Sequence, residues 1–284
     1  MGETTQQHDP GSGLTGTRLG GYTIREKIGE GGMGAVYLAH DAALDRKVAI
    51  KTLPAELARS ETYRKRFLRE ARALARVKHP NLVQIYTVAA QHGYYFFAME
   101  YVEGESRADG IGRAGPMTLE EILALSGQVL GALDAVHASG ILHRDVKSAN
   151  IMVERTGRVV LMDLGLAKDE SVPGMTTAGM ILGTPAYMSP EQAEAQEATA
   201  RSDIYSFGVV LYEMAAGSVP FTGRSAVAVL RKHVEEAPPA VRAARPDLPP
   251  EFAAAVAAIA KEDLTTFANK HFGRHAIGLQ MPET

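Results

Sequence analysis

From Tyr22 onward, apolar and polar positions alternate with the two-residue period of half-buried strands: Tyr22-Thr23-Ile24, then Ala35-Val36-Tyr37-Leu38, then Val48-Ala49-Ile50-Lys51-Thr52-Leu53. A glycine-rich turn, Gly29-Glu30-Gly31-Gly32-Met33-Gly34, lies between the first two. The period then changes. From about Glu61 to Lys78, Phe67, Glu70 and Leu74 recur at i, i+3 and i+7, which predicts a helix with the Glu70 carboxylate on its apolar face. A carboxylate in that position calls for a partner. Tyr94 to Tyr101 predicts a further strand, and the run Met99-Glu100-Tyr101-Val102 ahead of Gly104 and Gly110 predicts a hinge between two lobes.

Beyond the hinge the pattern is helical. Thr118 is placed as an N-cap with Glu121 closing a capping box, Ile122, Leu125, Val129, Leu133 and Val136 line one face, and Gly140 ends the helix. A second helix, Ser202 to Ala216, is apolar nearly all round and stops at Gly217, so it belongs at the centre of its lobe. The first twenty residues carry many Gly, Thr and Gln and no apolar period, and are expected to form a disordered tail. Met1-Gly2 invites a myristoylation reading, which Gln6 disfavours because the motif wants Ser or Thr there.

Composition narrows the function classes. In 284 residues, 45% hydrophobic and 22% charged, there is material for a sizeable core, and a net charge of -3 offers no field to draw the chain onto nucleic acid. No cysteine is present, which removes disulfides and thiolate metal sites and fits a reducing compartment. The longest apolar run, Phe252 to Ala260, is far below the roughly 18 residues of a membrane span. These features predict a soluble chain with no nucleic-acid partner and no membrane span.

Candidate chemistry follows from the turn and from two acidic segments. The glycine run joins two strands rather than a strand and a helix, which argues against a dinucleotide fingerprint; missing side chains there would let backbone N–H groups approach phosphates. Strand alternation puts Ala49 and Lys51 on one face, where an ammonium could reach phosphates and an ion pair with Glu70 would satisfy both groups. Asp163 follows the apolar strand Val159-Val160-Leu161-Met162 and precedes Gly165, at a strand end where a carboxylate can grip a cation. Asn150 can add a neutral oxygen for magnesium, a hard ion that favours oxygen ligands. Asp145 is the candidate base for an incoming hydroxyl, with Lys147 neutralising charge on the transferred group and His143 holding the loop rather than moving the proton.

Taken in order, the glycine loop, Val48-Ala49-Ile50-Lys51, Glu70, His143-Arg144-Asp145 to Asn150, and Asp163-Leu164-Gly165 resemble the protein kinase family from about Tyr22 to Ala260. Lys147 with Gly183-Thr184-Pro185-Ala186-Tyr187-Met188-Ser189-Pro190-Glu191 is similar to serine/threonine members, and Tyr187 to Gln192, Arg201 to Gly208 and Val227 to His233 are most similar to eukaryotic-like bacterial ones.

The resemblance implies an α+β, bilobal fold: a small antiparallel sheet with one main helix, then a larger, mainly helical lobe. It divides the chain into a tail (1–20), an upper lobe and hinge (21–103), a lower lobe (104–260) and a divergent end (261–284). It also implies transfer of the ATP γ-phosphate to protein Ser or Thr hydroxyls, with Mg2+, or Mn2+ in its place, held by Asn150 and Asp163. The nucleotide would meet Ile28, Gly29, Gly31, Gly34, Val36, Ala49, Lys51, Met99 as gatekeeper, the Glu100 carbonyl, the Val102 amide and Met152. Thr184 would bridge Asp145 and Lys147 at the acceptor site, and Leu74, Ile85, Leu164 and His143 would form an internal column anchored by Asp203. Arg144 and Lys168 would pair with a phosphate on Thr176 or Thr177, or on Ser171 in second place.

Dimerisation through the upper lobe and a cytoplasmic location, or one at the cytoplasmic face of a membrane if the natural protein is longer, are implied in the same way. Two departures stand out: Leu164 occupies a position usually Phe, and after Asp263 the family's proline and arginine are missing. The missing arginine ordinarily pairs with the glutamate at the position of Glu191, which leaves Arg274 or Arg242 as substitutes. A nucleotide-binding pseudokinase and a small-molecule phosphotransferase are the alternative readings.

Overall fold

A computed structural model describes residues 14–31, 34–163, 165 and 184–258, without the side chains of Arg66, Glu70 and Ala258. The chain divides into two compact units, Met1–Arg76 with Gln84–Tyr101, and Val77–Val83 with Val102–Thr284.

Among the described residues, the first unit is a six-stranded antiparallel sheet with two helices. In chain order these are β1 (Arg18–Leu19), β2 (Tyr22–Gly31), β3 (Gly34–Asp41), β4 (Arg46–Thr52), α1 (Ala55–Ala58), α2 (Glu61–Leu74), β5 (Ile85–Gln91) and β6 (Tyr94–Glu100). The sheet order is β1-β2-β3-β4-β6-β5, so only β5 and β6 depart from sequence order. One face buries Leu14, Leu19, Ile24, Val48, Ile50, Phe96 and Ala98 as a single cluster, with Ile24, Val48 and Ile50 at alternate strand positions. The expectation of a disordered tail to residue 20 needs correction: Arg18–Leu19 pairs with Thr23 and Tyr22 as β1, and Leu14 and Leu19 are ordered by the apolar surface they bury. β2 runs on well past Ile24 although Arg25 to Glu30 has no apolar alternation; pairing with β3 sustains it, with irregular register at Ile24/Glu26 and Lys27/Gly29.

The predicted helix from Glu61 to Lys78 ends four residues early, at Leu74. Pro80 disfavours helix at the residue before it, and the next stretch is claimed by the second unit. Leu82 bridges Leu161, the Val83 amide donates to the Leu161 carbonyl at 3.1 Å, and Asn81 Nδ2 donates to Val159 O and Gln128 Oε1, both at 2.7 Å. Val77–Val83 therefore clusters apart from the helix and the strand that flank it in sequence.

The second unit carries a three-stranded sheet of β7 (Gly104–Ser106), β8 (Ile151–Glu154) and β9 (Val159–Leu161). Its helices are α3 (Arg107–Ala114), α4 (Leu119–Ala138), α5 (Pro190–Ala193), α6 (Ala200–Ala216), α7 (Ala226–Glu235), α8 (Val241–Ala244) and α9 (Pro250–Ala258). α4 starts on the expected capping box: Thr118 Oγ1 accepts from the Glu121 amide at 3.3 Å and Glu121 Oε2 from the Thr118 amide at 2.9 Å. α6 begins two residues before Ser202, because Thr199 is the cap and Ser202 Oγ accepts its amide at 2.9 Å. Ile204, Phe207, Val210 and Met214 on α6 are each 0% exposed, as an all-round apolar helix requires. Among the described residues no helix is long and apolar enough to cross a membrane.

Candidate active site

In the first unit, the glycine turn joins two antiparallel strands, as the sequence pattern requires: Gly29 pairs with Val36 and Gly31 with Gly34. Gly34 has φ of 121°, and a Cβ there would lie 1.9 Å from the Thr52 carbonyl oxygen, so only glycine fits. Ile28, on the same strand, is exposed. Lys51 is 7% exposed on β4, between Val36 of β3 and Phe97 of β6, and Ala49 is buried two residues earlier between Leu38 and Met99. Burying most of a lysine is uncommon and marks Lys51 apart from a lysine on a solvated edge. Glu70 falls on α2, while its side chain, and with it the expected ion pair, lies outside the described residues. Met99 is buried on β6, and the Glu100 amide donates to the Gln84 carbonyl at 2.8 Å.

In the second unit, the residues from His143 to Asn150 are built onto α6 and β9. His143 is fully buried. Its Nδ1 accepts the Asp145 amide at 3.3 Å, which leaves Nε2 to donate to the Met162 carbonyl at 2.8 Å. Both ring nitrogens are thus spent on backbone, the bracing role assigned to this histidine from sequence. Asp203, 1% exposed on α6, accepts the His143 amide at 2.8 Å and the Arg144 amide at 2.7 Å, and His137 Nε2 of α4 reaches it at 2.8 Å. Arg144 and Asp163 both have positive φ, 63° and 40°, a strained backbone that persists only when its surroundings over-determine it.

Asp145 is the meeting point. Lys147 Nζ lies 2.9 Å from Asp145 Oδ2 and donates to Thr184 Oγ1 at 3.3 Å. Lys147 rather than Thr184 forms the bridge, because an ammonium has three donors and can serve a carboxylate and a hydroxyl at once. Asn150 Nδ2 donates to the Asp145 carbonyl at 2.8 Å, to Asp145 Oδ2 at 3.1 Å and to the Asp163 carbonyl at 3.4 Å. With its nitrogen so engaged, Asn150 has its amide oxygen as the coordinating atom.

Met152 follows on β8, paired with Ser106 and Val160, and Val102 is buried, its carbonyl accepting the Gly104 amide at 3.1 Å. Asp145, Lys147, Asn150 and Thr184 are therefore brought together directly, and Asp163 joins them through its main chain. Asn150 and Asp163 offer hard oxygen donors of the kind Mg2+ takes, a site that phosphate oxygens and water would complete, and no cluster of three or more His, Cys, Asp or Glu ligands competes among the described residues.

Leu164, Lys168, Ser171, Thr176, Thr177 and Arg274 lie outside the described residues. The expectation for Glu191 needs correction. It is half-buried, and Ser202 Oγ donates to its Oε1 at 2.5 Å. Arg242, one of the proposed substitutes, donates instead to the Pro246 carbonyl at 3.3 Å, since α8 aims it along its own loop. A hydroxyl one turn into α6 thus supplies the carboxylate with a hydrogen bond, a role a serine cap does not advertise in sequence.

The geometry agrees with comparison to known proteins. The model of the protein kinase domain family matches residues 22–272. The chain is 40% identical over 237 residues to the serine/threonine-protein kinase PrkC of Bacillus subtilis, covering 83% of this chain and 37% of that protein. It is 40% identical over 263 residues to the serine/threonine-protein kinase PksC of Streptomyces coelicolor, covering 89% and 47%. The crystal structure of the Mycobacterium tuberculosis PknI kinase domain superposes with a TM-score of 0.74 at 26% identity, covering 92% of this chain and 99% of that one.

The chain belongs to the protein kinase family, and its fold is the family's: an antiparallel sheet unit and a mainly helical unit. It spans 37% and 47% of the length of the two curated relatives named above. The family in general uses ATP and a divalent metal.

Proposed function

We propose that this chain is the catalytic domain of a serine/threonine protein kinase that transfers the γ-phosphate of ATP to protein hydroxyls. The observation that supports this most directly is the Asp145 carboxylate, flanked by Lys147 at 2.9 Å and by Asn150 at 3.1 Å, with the Thr184 hydroxyl on the same ammonium. The acceptor oxygen attacks the γ-phosphorus, the bond to the ADP oxygen breaks, and the hydroxyl proton passes to Asp145. Lys147 faces the charge that builds on the transferred group, and Thr184 limits how the acceptor can lie. Lys51, with Glu70 as its partner, positions the phosphates; the glycine hairpin covers them; Ile28, Val36, Ala49, Met99, Glu100, Val102 and Met152 hold the base. Asn150 and Asp163 hold magnesium, which when bound neutralises phosphate charge.

Phosphorylation of Thr176 or Thr177, with Ser171 in second place, is proposed to engage Arg144 and Lys168 and to raise activity. We place the reaction in the cytoplasm, or at the cytoplasmic face of a membrane if the natural protein is longer, where ATP is available. The test is incubation of the purified chain with Mg-ATP and a basic protein acceptor, followed by phosphosite mapping, beside an Asp145→Asn control. Phosphate on Ser or Thr in the wild-type sample alone supports the reading, and a wild-type chain that leaves every hydroxyl untouched removes it.

A further inference from the structure

Ser148 stands in the turn between Lys147 and Asn150 and is 0% exposed. A buried hydroxyl is costly unless it is bonded, and this one meets the phenol oxygen of Tyr187 at 3.0 Å. Tyr187 closes the short turn Pro185–Tyr187 that follows Thr184. Its phenol donates to Glu213 Oε2 of α6 at 2.8 Å, so the single phenolic proton is committed and Ser148 must be the donor to Tyr187. Burial raises the Tyr187 pKa above the ordinary tyrosine value, which keeps that proton in place. Ser206 Oγ of α6 donates to the Tyr187 carbonyl at 2.7 Å and fixes the backbone of the same residue. The result is a one-directional relay, Ser148 to Tyr187 to Glu213, beside the shorter link from Lys147 to Thr184.

Consecutive residues of the loop that carries Asp145 are thus bonded to two residues of the segment 184–187. Asp145 receives the acceptor's proton in the function proposed above, on which this inference rests, and Lys147 touches both Asp145 and Thr184. The segment 184–187 therefore borders the acceptor, whereas none of the groups assigned to the nucleotide belongs to the relay.

We propose that Ser148 is a positioning residue for the protein acceptor: its hydroxyl locks the 184–187 turn against the loop carrying Asp145, so acceptor recognition depends on it and nucleotide recognition does not.

The test is steady-state kinetics on Ser148→Ala, Tyr187→Phe and the double variant, with a peptide that the wild-type chain phosphorylates, joined to hydrogen exchange of the amides of residues 186–188. Ser148→Ala is expected to raise the acceptor KM about fivefold, the loss of one neutral hydrogen bond, with the ATP KM unchanged. In the Tyr187→Phe background the same change is expected to add nothing, since the acceptor oxygen is already gone. Exchange at 186–188 is expected to quicken in Ser148→Ala. An ATP KM that rises in step, or additive single effects, overturns the assignment. If the wild-type chain phosphorylates no peptide, the kinase reading fails by itself, and exchange at 186–188 that does not change in Ser148→Ala overturns the relay separately.

Discussion

Asp203 holds Arg144 by its main chain: Oδ1 accepts the Arg144 amide at 2.7 Å, while Oδ2 takes the His143 amide and His137 Nε2, both at 2.8 Å. One buried carboxylate thereby fixes the backbone immediately before Asp145, at a residue whose φ of 63° costs about 1 to 3 kcal/mol for an ordinary side chain. Asp203→Asn keeps the volume but replaces one acceptor oxygen with a donor that faces an N–H. Urea unfolding is expected to show a loss of about 2 kcal/mol, and kcat to fall at least about tenfold as the loop relaxes. A variant as stable and as fast as the parent would mean that the loop is held by something else.

Asp145→Asn removes the proton acceptor and leaves a group of the same size beside Lys147. Transfer is expected to fall by about two to four orders of magnitude with the ATP KM nearly unchanged, since Asp145 serves the acceptor. The measurement is initial rate against ATP at saturating peptide. A large rise in ATP KM would move Asp145 into nucleotide binding.

Gly34→Ala is expected to distort the hairpin that carries the glycine run. Its Cβ would lie 1.9 Å from the Thr52 carbonyl oxygen at φ of 121°, so both sterics and backbone oppose it. A Cβ on Gly31 meets nothing within 4 Å and serves as control. Thermal melting is expected to place Gly34→Ala well below Gly31→Ala, by a difference of about 2 kcal/mol or more. Equal melting temperatures would contradict the close approach.

His233 makes the stability pH-dependent. Burial lowers its pKa from 6.5 to about 4, and the Tyr205 phenol lies 2.7 Å from its Nδ1. A histidine whose folded pKa is depressed binds fewer protons in the folded state than in the unfolded one between those two values. Its contribution is therefore complete above about pH 6.5 and is lost as pH falls towards 4. Unfolding free energies from urea titrations at pH 7 and pH 4.5 are expected to differ by about 2 kcal/mol more in the wild type than in His233→Asn. Parallel pH profiles would show that this histidine does not titrate with folding.

Local patterns carried much of the architecture. Thr118 and Glu121 announced the start of α4, and Gly217, with φ of 79°, the end of α6, because caps and left-handed glycines are settled within one turn of chain. The spacing of Asp145, Lys147 and Asn150 was equally readable, since six residues of loop keep these groups together whatever surrounds them. The early end of α2 was harder to read. Its helical period continues formally to Lys78, and only the pairing of Asn81 to Val83 with β9 and Gln128 shows where the chain goes instead.

By itself the sequence determined the kinds of element, the order of the motifs and the family they belong to, because periodicity and loop spacing are short-range properties of a chain. Which group serves which partner was decided by tertiary packing. Lys147 rather than Thr184 joins the acceptor-side groups, Ser202 rather than Arg242 donates to Glu191, and Asp203 reaches across 60 residues to the His143 amide. The bonds from Lys147 to Thr184, from Ser202 to Glu191 and from the His143 amide to Asp203 join residues 37, 11 and 60 positions apart. Their distances are set by how α6 packs against the loop and the segments around it, and no local pattern encodes that packing.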